Sequence, residues 1–296
     1  MANDRTDSNM ITREYFDSLL LEMRHIDSVI PDTAITLFGE TFQMPIATAA
    51  LSHLGNTAPD GMAKMAQGAK EAGALCFSGM GSAEEIQSMC ATGAKVIKIV
   101  KPHADNEYVL FKIREAEDAG AFGVGMDIDH AFSADGQYDN VMGLPMKSKT
   151  LSELRSFVES TRLPFIIKGV LSVQDAEKCL EIGADGIIVS HHHGIMRSAV
   201  PPLMILPKIK AVVGNRMKIF VDCCIESGMD AFKALALGAD AVCTGRAIMP
   251  PLKENGADGV RDRLLSMNGE LKGVMERTGF SKLSEIDASV VYQRKF

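Results

Sequence analysis

Four short stretches in the second half of the chain end in residues that can do chemistry. They supply Lys168, Ser190 followed by the run His191–His193, Asp222, and the pair Gly245-Arg246. A buried amine stabilises negative charge, and an imidazole with a pKa near ~6.5 exchanges a proton at neutral pH. A carboxylate accepts hydrogen bonds from hydroxyl groups, and glycine followed by arginine suits an anion such as phosphate. Together these residues predict a polar site that binds an anionic ligand and transfers a proton.

Each of these residues follows a run of apolar, β-branched residues, and helical segments separate the runs. Strands that read as continuous apolar runs are buried on both faces, and helices between them imply parallel pairing. Four further strands are predicted at 45–51, 74–79, 95–100 and 121–129. Eight strand-helix units predict a single α/β domain, a TIM (β/α)8 barrel with an extra N-terminal helix. In such a barrel the carboxyl ends of the strands carry the chemistry.

Three segments fall outside this repeat. Residues 12–29 predict the extra helix, which with a connector fills residues 1–40 ahead of a barrel at 41–296. We expect this helix to cover the barrel floor or to pack on a neighbouring subunit. Residues 130–149 are polar and rich in glycine, which predicts a functional loop on the rim. Residues 255–277 predict a long amphipathic helix that closes the barrel.

Composition restricts the function. The net charge of -7 and the pI near 5.6 argue against a nucleic-acid partner, and no apolar run approaches the ~20 residues of a membrane span. The N-terminus has no apolar core of a secretory signal, and six scattered cysteines favour reduced thiols in the cytoplasm. Neighbouring histidines usually point in different directions, so the histidine run predicts no metal site.

Several long phrases of the chain match one enzyme family. PIATAAL, IIKGVLSVQDAEKCLEIGADGIIVSHHHG and VDCCIESGMDAFKALALGADAVCTGR occur in that family's order. Over about two-thirds of its length the chain therefore resembles the FMN-dependent α-hydroxy-acid oxidases and dehydrogenases, which include lactate and glycolate oxidases. The resemblance implies FMN as cofactor, a small-molecule substrate and a homotetramer.

The resemblance also implies roles for single residues. Lys168 matches the lysine beside the N1–C2=O edge of the flavin, where its charge stabilises the reduced, anionic ring. His192 matches the acid/base that exchanges a proton while hydride moves to or from flavin N5. The remaining matches are contacts to the ring, ribityl chain and phosphate, and they fall on Ala49, Ala50, Ser78, Ser190, Asp222, Gly245 and Arg246.

The chain departs from the family's pattern at several positions. Ile195 and Asp135 occupy the positions of the family's two substrate-binding arginines, so a simple 2-hydroxy acid is not the expected substrate. Lys98 replaces a flavin-contacting glutamine and would add positive charge there, whereas Asp127 replaces a threonine and would add an acid/base group. The family's glycine pair after the ribityl aspartate reads Cys223-Cys224.

These residues predict an FMN-dependent oxidoreductase with a diverged substrate site. One alternative is an isomerase that uses reduced FMN as an acid/base, like the type 2 isopentenyl diphosphate isomerases, and another is a flavin-dependent reductase. A flavin-binding protein without catalytic activity would need neither His192 nor Lys168.

Overall fold

Eight parallel strands close into a barrel in the computed structural model, which describes residues 4–294. In chain order they are β1 (Ile46–Leu51), β2 (Cys76–Ser78), β3 (Val96–Val100), β4 (Gly123–Asp127), β5 (Phe165–Val170), β6 (Gly186–Val189), β7 (Lys218–Val221) and β8 (Ala241–Thr244). Each strand pairs with the next, and β8 pairs with β1. The TIM barrel predicted from the sequence is therefore confirmed.

Helices surround the barrel. They are α1 (Ser8–Ser18), α2 (Gly61–Glu71), α3 (Ala83–Ala91), α4 (Asn106–Asp118), α5 (Leu151–Glu159), α6 (Val173–Glu181), α7 (Pro202–Val213), α8 (Gly228–Ala236) and α9 (Met249–Thr278). Side chains cap many of their N-termini; Thr150 and Glu153, for example, form a reciprocal capping box at α5. No helix in the described part of the chain is long and apolar enough to cross a membrane.

Alternation along each strand decides which side chains reach the barrel interior. In β3, Ile97 and Ile99 belong to the interior cluster, whereas Val96 and Val100 pack against the helices. The same alternation in β5 points Ile166 inward and Ile167 outward. Inward positions at the carboxyl ends of the strands therefore converge above the interior core.

A hairpin seals the amino end of the barrel. Its strands Ile35–Leu37 and Glu40–Phe42 are antiparallel, and Phe38 at its turn stacks at 6.3 Å on Phe220. Leu37 and Phe42 are buried in the interior cluster. The floor is thus covered by the connector, and the N-terminal helix is free to lie elsewhere.

The N-terminal helix is earlier and shorter than the predicted 12–29. Asp7 caps α1 by accepting a hydrogen bond from the backbone N–H of Asn9, and the chain leaves helical conformation at Leu19. Residues Leu19–Leu21 then form a strand antiparallel to Val291–Gln293. This pairing with the C-terminal segment outweighs the helical periodicity of the sequence.

Two other segments refine the prediction. Residues 130–149 include a small hairpin, Asn140–Val141 with Leu144–Pro145, so the rim loop has local structure. The closing helix starts at Met249, before the predicted residue 255, and Gly256 interrupts it with a φ of 59°. A left-handed φ favours glycine, which explains a break at this position.

Candidate active site

A cavity of ≈ 360 Å³ opens at the carboxyl ends of the strands. The residues predicted from the sequence that line it are Ala49, Ala50, Lys168, His192, Asp222, Gly245 and Arg246. They come from β1 and β5 and from the loops after β6, β7 and β8. The fold therefore brings together residues that are almost 200 positions apart in the chain.

His192 is held by a carboxylate at the edge of this cavity. Its Nδ1 lies 2.6 Å from Asp129 Oδ1 and 3.3 Å from Asp127 Oδ1. The shorter contact engages the proton on Nδ1, so Nε2 is the ring nitrogen available to a ligand. His192 also has a left-handed φ of 47°, and its backbone N–H donates to Ser190 Oγ at 2.9 Å.

Two lysines surround Asp127 beneath the cavity. Lys101 Nζ donates to Asp127 Oδ2 at 2.8 Å, and Lys168 Nζ lies 3.7 Å from Asp127 Oδ1. Lys168 Nζ is also 3.2 Å from His192 Nδ1. The predicted catalytic residues Lys168, His192 and Asp127 thus form one contiguous network, which Asp129 and Lys101 complete.

The network shifts the acidities of its members. Although burial opposes ionisation, the ammonium of Lys168 and hydrogen bonds from Asp129 and His192 hold the pKa of Asp127 well below its usual value. Burial and the charge of Asp127 raise the pKa of Asp129 to about 7. Burial opposes the protonation of His192, but hydrogen bonds to Asp127 and Asp129 outweigh it and raise its pKa to about 9. At neutral pH, His192 is therefore the protonated partner.

The opposite end of the cavity suits an anion. Within residues 4–294, the hydrogen bonds of the Arg246 side chain are two long contacts of Nη2, 3.4 Å to Asn9 Oδ1 and 3.7 Å to Cys224 Sγ, so the guanidinium keeps donors for a ligand. Gly245 lines the same end, and a Cβ at this position would make an ordinary 3.4 Å contact with that of Ala49. Glu226 also lines the cavity and sets a negative charge near this end.

The vicinal cysteines have a backbone that glycine would favour. The φ angles of Cys223 and Cys224 are 67° and 60°, which is the left-handed region. This conformation fits the glycine pair that the resemblance implies at these positions. The Cys223 thiol donates to Asp222 Oδ1 at 3.0 Å, and burial followed by the charge of Asp222 raises its pKa well above the usual value. A protonated thiol is a poor nucleophile, so the geometry favours packing over redox chemistry.

The other two histidines of the run have structural contacts. His191 is buried; its Nε2 lies 2.8 Å from Thr12 Oγ1, and its Nδ1 accepts from the Gly194 N–H at 2.9 Å. His193 Nδ1 lies 2.9 Å from Asn9 Oδ1. Both histidines therefore hold α1 against the rim of the barrel.

Three predicted cofactor residues, Ser78, Lys98 and Ser190, do not line the main cavity; Ser190 is buried beside it. Lys98 lies on the outer face of β3, opposite in direction to Ile97 and Ile99, and lines a separate small cavity. Ser78 is its register partner in β2 and is fully buried. The expectation that Lys98 adds charge beside the cofactor is therefore corrected, because strand alternation points its side chain away from the interior. Lys101, three residues later, faces inward and was missed.

Asp127, Asp129 and His192 offer ligand atoms within 4.8 Å of one another, a grouping that could hold a metal ion. Lys101 and Lys168 already approach this group with two ammonium ions. Their positive charges neutralise the carboxylates and compete with any cation, so the arrangement suits proton exchange better than metal binding.

The chain belongs to the family of FMN-dependent dehydrogenases, whose model matches residues 2–153 and 144–293. It is 31% identical to 4-hydroxymandelate oxidase of Amycolatopsis orientalis over 83% of this chain and 79% of that protein. A 2-hydroxyacid oxidase of Dictyostelium discoideum is 40% identical, but the match covers 50% of this chain and 38% of that protein. A mandelate oxidase structure with (S)-mandelic acid has a TM-score of 0.90 at 27% identity, covering 99% of this chain and 91% of that one.

The family assignment confirms the resemblance, the enzyme class and FMN as the cofactor. The cavity fits such a group, since its volume lies within the ~300–1,000 Å³ typical of ligand sites. Arg246 offers donors for a phosphate, Asp222 offers acceptors for hydroxyl groups, and Lys168 offers positive charge for an electron-rich ring. The cavity lining also contains Cys223, Cys224 and Glu226, which differ from the family's pattern and would lie close to the bound cofactor.

Proposed function

We propose that this protein transfers hydride between FMN and a hydroxyl-bearing carbon, with His192 as the acid/base. The observation that carries the proposal is the 2.6 Å contact between His192 Nδ1 and Asp129 Oδ1 at the edge of the cavity. Bound FMN supplies a hydride acceptor and donor. His192 Nε2 exchanges the hydroxyl proton, Asp129 orients the ring and stabilises its positive charge, and Asp127 tunes both groups.

The cofactor would occupy the length of the cavity. We assign its phosphate to Gly245 and Arg246, its ribityl hydroxyls to Asp222, and its ring to Lys168. The backbone of Ala49 and Ala50 would border the ring. Ser190, which accepts from the His192 backbone, would fix the histidine loop beside it. Ser78 is buried behind β2 and would act through packing.

The substrate is proposed to differ from a simple 2-hydroxy acid. Arg246 is the one arginine among the described residues that line the cavity, and we assign it to the phosphate of FMN. At the family's arginine positions, Ile195 is 42% exposed and Asp135 bonds to Ser133 on an exposed turn. Loss of paired donors weakens carboxylate binding by roughly 2–5 kcal/mol.

An anaerobic substrate screen tests this proposal. Purified protein should be yellow and release FMN on heating, which establishes the loaded cofactor. Lactate, glycolate and mandelate are then expected to bleach the visible flavin absorbance slowly or not at all. Rapid bleaching by any of the three would show that the missing arginines are replaced and would refute the altered specificity. The His192→Gln variant should abolish bleaching by every acid that reacts.

We also propose a homotetramer in a reducing, cytoplasmic environment. Met23, Ile26 and Ile30 expose 68%, 91% and 90% of their surface, which is unusual for large apolar side chains and favours burial against another subunit. The six cysteines are unpaired, which suits a reducing compartment. Light scattering on the purified protein measures the mass of the assembly directly.

A further inference from the structure

A second, much smaller cavity lies at the carboxyl end of β3. It is enclosed by Met80 and Gly81 in the loop after β2 and by Tyr108 and Lys112 in α4, and its volume is ≈ 30 Å³. Such a space holds about two or three water-sized atoms. That is enough for the two oxygens of a carboxylate and too little for a phosphate without rearrangement.

Lys98 points into this cavity without a partner. It is 2% exposed, and its Nζ has no hydrogen-bond partner in the described range 4–294. A buried ammonium that is unpaired costs several kcal/mol, so proteins normally provide an anion for it. A Cβ on Gly81 would lie 1.9 Å from Glu85 Oε1 and 3.4 Å from this Nζ, so the carboxylate of Glu85 lies near Lys98 under the same loop.

The other charges around the cavity are already engaged. Lys101 bonds to Asp127 at 2.8 Å, and Lys112 pairs with Glu115 and lies 3.4 Å from the carbonyl oxygen of Gly81. Glu85 is the nearby acid that is not engaged. Its Oε1 is buried without a partner, yet no Lys98–Glu85 ion pair forms within 4.0 Å among the described residues.

Burial and neighbouring lysines both act on the titratable groups of the cavity wall. Burial, followed by the charges of Lys112, Lys149 and Lys101, lowers the pKa of His103 in the cavity wall to about 4. Burial also lowers the pKa of Lys98 to about 8, with Glu85 opposing this shift and Lys112 adding to it. Burial and the neighbouring lysines thus disfavour further positive charge in this cavity.

We propose that Lys98, supported by Lys112, binds a carboxylate group in this cavity. Lys101 lines the same cavity and contacts Asp127, which lies 3.3 Å from His192, so the bound group would sit one lysine away from the catalytic network. The inference goes beyond the proposed function: the ligand is a carboxylate, either free or carried by a larger molecule.

Acetate binding to the FMN-loaded protein tests the site without turnover. Calorimetric titration at ionic strength matched with chloride should show saturable binding to the wild type. Lys98→Met should weaken it at least tenfold, and Lys112→Met serves as the second variant if Lys98→Met does not fold. Lys178→Met is the control, because this exposed lysine contacts Asp175 on the outer helix α6. Its affinity for acetate should equal that of the wild type.

Two results would overturn the proposal. One is equal acetate affinity in the wild type and Lys98→Met. The other is acetate binding that appears only after Glu85→Gln, since Glu85 would then be the resident anion of the cavity. Neither result depends on whether a hydroxy acid reduces the flavin, so the proposed function fails or holds separately.

The origin of the carboxylate is resolved by kinetics with any acid that bleaches the flavin. If the group belongs to the substrate, acetate should raise KM at constant kcat, and Lys98→Met should raise KM at least tenfold. If a free carboxylate occupies the site instead, acetate should bind through Lys98 with KM unchanged. Both outcomes support the site, and they assign it to different ligands.

Discussion

The contact between His192 and Asp129 sets the pH range in which the proposed acid/base can work. A histidine that accepts a proton must first be neutral. Since hydrogen bonds to Asp127 and Asp129 raise the pKa of His192 to about 9, substrate oxidation should be slow at neutral pH and rise as the pH approaches that value. The hydrogen bonds that orient the imidazole ring therefore also raise the pH at which the ring loses its proton.

Replacing Asp129 by asparagine separates these two effects. Without the carboxylate, the pKa of His192 should fall, and the inflection in kcat/KM should move to lower pH. The rate above the inflection should also fall, by roughly 10²–10⁴-fold, because the tautomer and orientation of the ring are lost. Flavin reduction rates measured across pH in the wild type and Asp129→Asn check both parts. Glu177→Gln, an exposed change on α6, should leave the profile unchanged, and an unshifted Asp129→Asn profile would contradict this role.

At the scale of elements, helices α8 and α9 approach each other so closely that a glycine is required. A Cβ on Gly228 would lie 2.2 Å from the backbone N of Leu271 and 2.3 Å from the backbone O of Met267. Neither backbone atom can move without shifting α9. Since α8 follows the Asp222 loop, such a shift would also disturb the cavity.

Gly228→Ala should therefore reduce the free energy of unfolding by roughly 2–4 kcal/mol. The matched control is Gly269→Ala on α9, where a Cβ would meet open space. That change should stabilise the helix by about 0.5–1 kcal/mol, because alanine loses less backbone entropy than glycine. Denaturant unfolding of the two variants measures the difference, and equal stabilities would argue against the close approach.

The strands of the barrel also explain which parts of the site could be predicted from the sequence. Apolar runs followed by polar residues identify strand ends, so Lys168, Asp222 and Arg246 could be assigned to one rim. A strand buried on both faces does not reveal which face is inside, since both are apolar. The match to the family's glutamine placed Lys98 beside the cofactor, and the apolar strand gave no signal that Lys101 faces the interior instead. Asp129 reaches His192 across 63 positions of sequence, and only the closed barrel brings them together.

At the scale of the whole molecule, the first helix, α1, packs against residues at the carboxyl rim of the barrel. The apolar stripe of residues 12–29 indicates that one face of the helix is buried. The stripe does not identify the part of the protein that covers this face. In the structure α1 lies at the carboxyl rim. Thr12 contacts His191 there, and Arg13 pairs with Asp230 at 2.8 Å. The N-terminal segment thus braces the rim of the cavity, and the hairpin at 35–42 closes the floor.

Asn9 links this helix to both ends of the cofactor cavity. Its amide donates to the His193 carbonyl at 3.0 Å, and its Oδ1 lies 2.9 Å from His193 Nδ1 and 3.4 Å from Arg246 Nη2. Asn9→Ala removes these partly exposed contacts, each worth about 0.5–1.5 kcal/mol net. FMN should then bind roughly three- to tenfold more weakly, because Arg246 and the histidine loop lose a shared support. Fluorescence titration of FMN into the apoprotein measures this, with Glu14→Ala on the exposed side of α1 as the control. Unchanged FMN affinity in Asn9→Ala would mean that the barrel alone organises the site and that the N-terminal helix contributes only to stability.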